Sequence, residues 1–156
     1  METLTRVLGE TEASRRVIDQ FSANEKRLTI DRYPNPPSVF YYVGDPLWTS
    51  GGNSFTNELI ERAGGKNLFG DLKQKYLSIN EEELVKRNPD VIVLVRPANP
   101  EAKRAELLTK PTWRTLNAIK NNRIVFLDED SASRPGPRIL DAIRELELAL
   151  HPQPKP

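Results

Sequence analysis

Three short apolar runs, VFYYV (39–43), VIVLV (91–95) and IVFLD (124–128), interrupt a chain whose other apolar positions recur at helical spacing. Their β-branched and aromatic content predicts strands buried on both faces. Ahead of them, Leu4, Val7 and Leu8 keep helical spacing, and Gly9 and Thr11 suggest a break and a fresh cap. From Glu12 to about Thr29 a longer helix turns Val17, Ile18, Phe21 and Leu28 inward, and YPNPPS (33–38) stops it. After the first strand comes a long loop, then a helix capped by Asn53 or Ser54. Phe55, Leu59, Ile60 and Ala63 share its inner face, and Gly64 supplies the left-handed C′ position.

KNLFGDLKQKYLSIN is irregular, with a short extended piece at Tyr76–Ile79. Asn80 caps a helix over Glu81–Arg87, with Glu83 at N3 in a capping-box-like pair and Ile79 and Leu84 placed as a hydrophobic staple. Asn88-Pro89 ends that helix before the second strand. RPANPEAKRAELL leads from loop to helix, Lys110-Pro111 interrupts, and Trp113, Leu116 and Ile119 mark another short helical face. Asn121-Asn122 turns the chain into the third strand. Past DEDSASRPG, Pro137 suits N1 of a last helix striped by Ile139, Ile143, Leu146 and Leu150. The tail at 152–156 is expected to be disordered.

Strands alternating with helices predict an α/β fold: a small, mainly parallel sheet with helices on both faces, a three-layer αβα arrangement of Rossmann-like kind. In such a sheet the loops after successive strands open on one edge, where ligands bind. Those loops carry Asp45, Trp48, Thr49, Ser50, Gly51 and Asn53; then Arg96 and Asn99; then Asp128, Glu129, Asp130, Ser131, Ser133 and Arg134. An aromatic ring, two hydroxyls and glycines that admit close backbone approach suit a binding lip. The same residues also suit an ordinary loop whose Trp covers a core edge. Arg96 and Arg134 can fork onto a carboxylate or other anion, or pair with the acidic loop nearby.

Composition narrows the chemistry. With 23 basic and 22 acidic residues in 156, nothing points to nucleic acid or an anionic membrane. The absence of cysteine excludes disulfides, thiolate metal sites and a cysteine nucleophile. There is no serine elbow, and GxxxxGK[ST] and GxGxxG spacings are missing, so no catalytic residue and no cofactor is expected. Asp128, Glu129 and Asp130 are adjacent and point different ways, which suits solvation better than a metal or an acid/base pair, so no metal site is expected. The single histidine, His151, reads as a solvated helix-end residue. No apolar run reaches transmembrane length and no leader pattern opens the chain, so it is either cytosolic or preceded by an export signal.

Four motifs occur in order: DPLWTSGGNSFTNELIERAGGKNLFGD, then NPDVIVL, then W-x-x-L-x-A-x-K-N-x-R-x-x-x-L, then RPGPRILDAIRELELAL. Together they resemble the C-terminal lobe of the periplasmic binding proteins that feed ABC importers for ferric siderophores, haem and vitamin B12. The first loop is most similar to the cobalamin-binding branch. The resemblance implies two α/β lobes joined by a long connector helix, with ligand in the cleft between them. Residues 1–33 would be the connector region, 38–151 the C-terminal lobe, and the N-terminal lobe would come from outside this chain. It further implies that Trp48, Thr49, Ser50 and Gly51, with Asn53, Arg96, Ser131 and Arg134, face a cobalt corrinoid or an iron chelate. Glu101 and Glu106 lie where transporter-docking glutamates are expected, which makes an ABC permease the protein partner and the location periplasmic or membrane-anchored outside the cell. Two other readings stand beside this one: a small Rossmann-like enzyme or nucleotide binder, and an interaction module that self-associates through its first helix.

Overall fold

The computed structural model describes residues 33–128 and 139–152. The expected connector helix, the loop bearing Ser131 and Arg134, and the final tail lie outside the described residues. In chain order the elements are β1 (Ser38–Tyr41), β2 (Trp48–Ser50), α1 (Phe55–Arg62), β3 (Lys66–Asn67), β4 (Tyr76–Ser78) and α2 (Glu81–Arg87). They continue with β5 (Val91–Val95), α3 (Pro100–Thr109), a 3-10 turn (Thr112–Thr115), α4 (Asn117–Lys120), β6 (Ile124–Leu127) and α5 (Ile139–Leu150).

The main sheet has four strands in the order β3-β1-β5-β6, and every neighbouring pair is parallel. The three expected strands form its centre and one side. What the apolar pattern did not reveal is β3, a two-residue edge strand, and a separate antiparallel ribbon of β2 and β4. A two-residue strand has no periodicity to read, and β2 lies in a stretch that reads as loop. The first strand also stops earlier than expected: Tyr42 stays buried, but Val43 is 53% exposed.

Alternation along the strands divides the core in two. Val39, Tyr41, Val91, Val93 and Leu127 pack against Leu59, Ile60 and Ala63 of α1 and Ala142, Ile143, Leu146 and Leu150 of α5. Phe40, Tyr42, Ile92, Leu94 and Ile124 face Phe69, Leu84, Leu107, Trp113, Leu116 and Ile119. Trp113 meets Phe40 and Tyr42 edge-on, at 6.1 and 5.5 Å between centroids, the arrangement that ring quadrupoles favour. Burial pushes the Tyr41 phenol up to about 12, because the charged form would lose its hydration.

Helix ends follow the sequence signals closely. The Ser54 hydroxyl caps α1 by accepting from Asn57 N at 3.0 Å. At the other end Gly65 N donates to Ile60 O and Gly64 N to Glu61 O, a Schellman closure that places Gly64 at φ 76°. Phe55 is only partly buried, while Thr56 and Asn57 join the inner face. Asn80 caps α2 by accepting from Glu83 N at 2.8 Å. The Glu83 carboxylate accepts from Arg87 Nε at 2.7 Å, one turn along its own helix.

Two contacts join distant parts of the lobe. At the amino ends of β1 and β5, Asp90 Oδ2 accepts from Ser38 N at 2.9 Å and from Ser38 Oγ at 2.7 Å. Burial, the largest influence, acts to raise the Asp90 carboxyl, but these two bonds together with Asn117 and the Arg123 charge outweigh it and hold the group below its ordinary value. His151 is not the solvated residue its position suggested. Its ring is stacked on Tyr33 at 3.4 Å, and Nε2 donates to Gly64 O at 3.0 Å. The end of α5 lies against the α1–β3 turn, which is why a helix-end histidine is covered.

Candidate functional site

The carboxyl ends of β1, β5 and β6 share one edge because the three strands are parallel and in register. Between the first two lies a shallow cavity of about 230 Å³, lined by Tyr42, Val43, Gly44, Asp45, Leu94, Val95, Pro97 and Lys103. Its walls are apolar at the strand ends and polar at the rim. The chain leaves β1 through a tight turn, where Trp48 N donates to Gly44 O at 2.8 Å and Val43 N to Trp48 O at 2.9 Å. That turn carries the chain from the cavity-lining Val43, Gly44 and Asp45 into β2 at Trp48.

The ribbon decides how the predicted lip is presented. Trp48 pairs with Ser78, Thr49 with Leu77 and Ser50 with Tyr76. Paired residues share a face and alternate residues return to it, so Trp48 and Tyr76 are diagonal neighbours, about 7–8 Å apart at their backbones. Both rings are open, at 42% and 50% exposure. Tyr76 was read from sequence only as part of an extended piece; its partnership with Trp48 comes from the pairing of β2 with β4. Thr49 and Ser50 are fully buried instead, and their hydroxyls find no hydrogen-bond partner among the described residues. By this register Thr49 belongs to the opposite face of the ribbon, and Ser50 shares the face of Trp48 and Tyr76 but is covered there, so neither hydroxyl is open to solvent.

The glycines also do something other than admit a ligand. A Cβ on Gly51 would stand inside contact distance of Gln74 O and 2.8 Å from Leu72 O. Gly51 N donates to Lys75 O at 3.0 Å, and Gly52 N to Leu72 O at 2.7 Å. The small residues thus admit the 70–75 segment, which backs the ribbon. Asn53 is exposed and donates its side-chain amide to Lys73 O at 2.6 Å. Beneath, the buried Asn67 amide donates to Ser50 O at 3.1 Å and to Asn57 Oδ1 at 3.0 Å, and its oxygen accepts from Phe69 N at 3.2 Å. These three bonds fix the ribbon to α1 and to the sheet edge.

Arg96 follows β5 as expected, but its guanidinium turns toward α5. It donates to Phe126 O at 3.1 Å and meets Glu145 at 3.4 Å. Of the two readings of this residue, the described geometry gives the ion pair, formed with a helix rather than with the acidic loop. Asn99 caps α3 by accepting from Ala102 N at 3.0 Å. Asp128 is exposed at the end of β6. Glu101 and Glu106 are exposed on α3, and Glu106 accepts from Lys103 Nζ at 2.8 and 3.0 Å.

One cluster was not singled out from the sequence. Tyr42 Oη donates to Asp45 Oδ1 at 2.9 Å, and Lys110 Nζ lies 3.6 Å from the same oxygen. Lys103 and Lys110 sit 5.4 and 5.6 Å from the Tyr42 ring centroid. The Tyr42 bond, then the two lysines, hold the Asp45 carboxyl below its ordinary value, while burial and then Asp45 push the Tyr42 phenol up. Asp45 is therefore ionised and Tyr42 neutral at ordinary pH. Among the described residues no cluster of three or more His, Cys, Asp or Glu is arranged to hold a metal. No helix among them is long and apolar enough to cross a membrane.

Comparison with known proteins gives consistent results. Residues 1–131 match the family described as periplasmic binding protein. An uncharacterised ABC transporter substrate-binding lipoprotein of Bacillus subtilis is 33% identical over 130 residues, covering 82% of this chain and 40% of that protein. A cobalamin-binding protein of Halobacterium salinarum is 31% identical over 119 residues, covering 74% of this chain and 32% of its own length. The crystal structure of a possible iron-binding, periplasmic solute-binding protein from Staphylococcus epidermidis superposes with a TM-score of 0.81 at 25% identity. That superposition covers 96% of this chain and 59% of the other. The chain thus spans less than two thirds of each of these relatives.

Proposed function

This chain belongs to the periplasmic binding protein family, and on that premise we propose that residues 38–151 form the C-terminal ligand-binding lobe of an ABC importer's solute-binding protein. The family is one of transporter binding proteins, not of enzymes, so the reading of the rim as a small nucleotide-using enzyme is set aside. The ligand is a large, partly apolar metal complex, a corrinoid or a ferric siderophore or haem chelate, received in a cleft against a second lobe. The observation that carries this reading is the pair of open aromatic rings, Trp48 and Tyr76, on one face of the ribbon that follows the cavity-lining turn at Gly44. Flat rings at that spacing suit the face of a macrocycle. The 31% identity to a cobalamin-binding protein favours the corrinoid.

In this reading Trp48 contacts the ligand directly, with Asn53 at the margin; Ser131 and Arg134, outside the described residues, are kept as candidate ligand contacts. Thr49, Ser50 and Gly51 shape the ribbon that presents Trp48. Arg96 braces the β5 loop against α5. Of the two candidate docking glutamates, Glu106 is engaged with Lys103, so Glu101 is the first choice for meeting a permease arginine. The test is a fluorescence titration with cobinamide, cobalamin, haemin and ferrichrome. Because Trp113 is fully buried, a quench on binding reports Trp48. Trp48→Ala and Tyr76→Ala should each weaken the preferred ligand by about 1–3 kcal/mol, as exposed aromatic anchors do when truncated. No binding by any of the four compounds would reject the reading.

A further inference from the structure

The cations beside the cavity are already answered by the protein's own anions. Lys103 is held by Glu106 at 2.8 Å, Lys110 by Asp45 at 3.6 Å, and Arg96 on the adjoining loop by Glu145 at 3.4 Å. The paired charges around the opening, two lysines against Asp45 and Glu106, sum to zero. A ligand carboxylate entering here would gain no unpaired cation and would face the Asp45 and Glu106 oxygens. The cavity is not apolar, however. Asp45 is 68% exposed and offers acceptor oxygens, while the lysines offer N–H donors. Donors and acceptors side by side with no net charge match a primary carboxamide, which presents an NH₂ and a C=O together.

We propose that the cavity bounded by Tyr42, Asp45 and Lys103 receives an uncharged carboxamide arm of the ligand. The site would then select a neutral, amide-bearing metal complex over a carboxylate-bearing one. This rests on the functional reading above and narrows it. The apolar strand-end wall formed by Leu94, Val95 and Pro97 suits the methylenes of such an arm. Tyr42, neutral and committed to Asp45, fixes the carboxylate so that one oxygen stays available. Asp45 thereby acts as a specificity residue: it accepts from an amide and repels a carboxylate.

The experiment compares dicyanocobinamide, whose corrin side chains are amides, with dicyanocobyrinic acid, in which they are carboxylates. Ferrichrome serves as a neutral control from outside the corrinoids. Affinities are read by Trp fluorescence and equilibrium dialysis at low ionic strength, with probes up to millimolar concentration. The unaltered protein should prefer the amide form at least ten-fold. Asp45→Asn should reduce that preference to under three-fold by releasing Lys110, and Lys103→Met should widen it. Equal or tighter binding of the carboxylate form overturns the inference, as does a preference that survives Asp45→Asn unchanged. Those results would leave the transport reading standing, whereas failure of all three probes, and of cobalamin and haemin as well, would remove that reading and the inference with it.

Discussion

Replacing Asn67 by Leu should separate the ribbon from the lobe that carries it. Asn67 is 4% exposed and makes three side-chain bonds, to Ser50 O, Asn57 Oδ1 and Phe69 N. Leu has the same branched skeleton but bulkier methyl ends, so no cavity is left and the cost is lost polar contacts with some overpacking. Each bond contributes about 0.5–1.5 kcal/mol net, and a buried partner left unpaired costs about 1–3 kcal/mol. Three bonds with partial relaxation give a destabilisation of about 3–5 kcal/mol. At about 2–4 °C per kcal/mol for a chain of this size, the midpoint of thermal unfolding should fall by roughly 10 °C. Urea titration should show a lower midpoint with an unchanged slope, since the same surface is exposed on unfolding. A second readout locates the damage. Acrylamide quenching in the folded variant should rise, because Trp48 sits on the loosened ribbon while Trp113 is sealed in the core. A loss under about 1 kcal/mol, below the value of a single buried bond, together with unchanged quenching would refute the argument that this amide anchors the ribbon.

Gly51→Ala should cost about 1–3 kcal/mol, as overpacking does, because the new methyl meets the Gln74 and Leu72 carbonyls; a neutral result by urea titration would show that the 70–75 segment yields easily. Thr49→Val should leave ligand affinity unchanged and raise stability by up to about 1–2 kcal/mol, since it removes a buried, unpartnered hydroxyl. A ten-fold loss of affinity in that variant would return Thr49 to the ligand surface. Asp90→Asn should destabilise the lobe by about 1–3 kcal/mol near neutral pH through the weakened Ser38 contacts. Because the Asp90 pKa is depressed on folding, its contribution is complete above the unfolded value of about 4 and is lost as pH falls through the folded value. The gap between Asp90→Asn and the unaltered protein should therefore narrow in acid; a gap as wide at pH 2 as at pH 7 would contradict this assignment.

The amino-acid sequence by itself determined the elements whose signal is local. VFYYV, VIVLV and IVFLD are continuous β-branched and aromatic runs, and burial on both faces is what a central parallel strand requires. Ser54, Asn80 and Asn99 each cap the helix they precede, and Gly64 closes α1, because a cap acts within one helical turn of itself. Parallel topology then put the carboxyl ends of the three strands on one edge without further information. Tertiary structure decided everything that depends on which distant segments meet. β2 and β4 are three residues each, and the 25 residues 51–75 separate Ser50 from Tyr76, so no local period announces their pairing. That pairing sets Trp48 and Tyr76 on one face, and the packing around the ribbon buries the two hydroxyls that loop position had set on the lip. Arg96 turns to Glu145, and Tyr42, Asp45 and Lys110 gather at the cavity, because ion pairs and hydrogen bonds are chosen by spatial neighbours rather than by spacing in the chain. A local motif can state that a residue is polar and near a strand end; only the packed sheet and ribbon decide whether that residue meets solvent, ligand or another side chain.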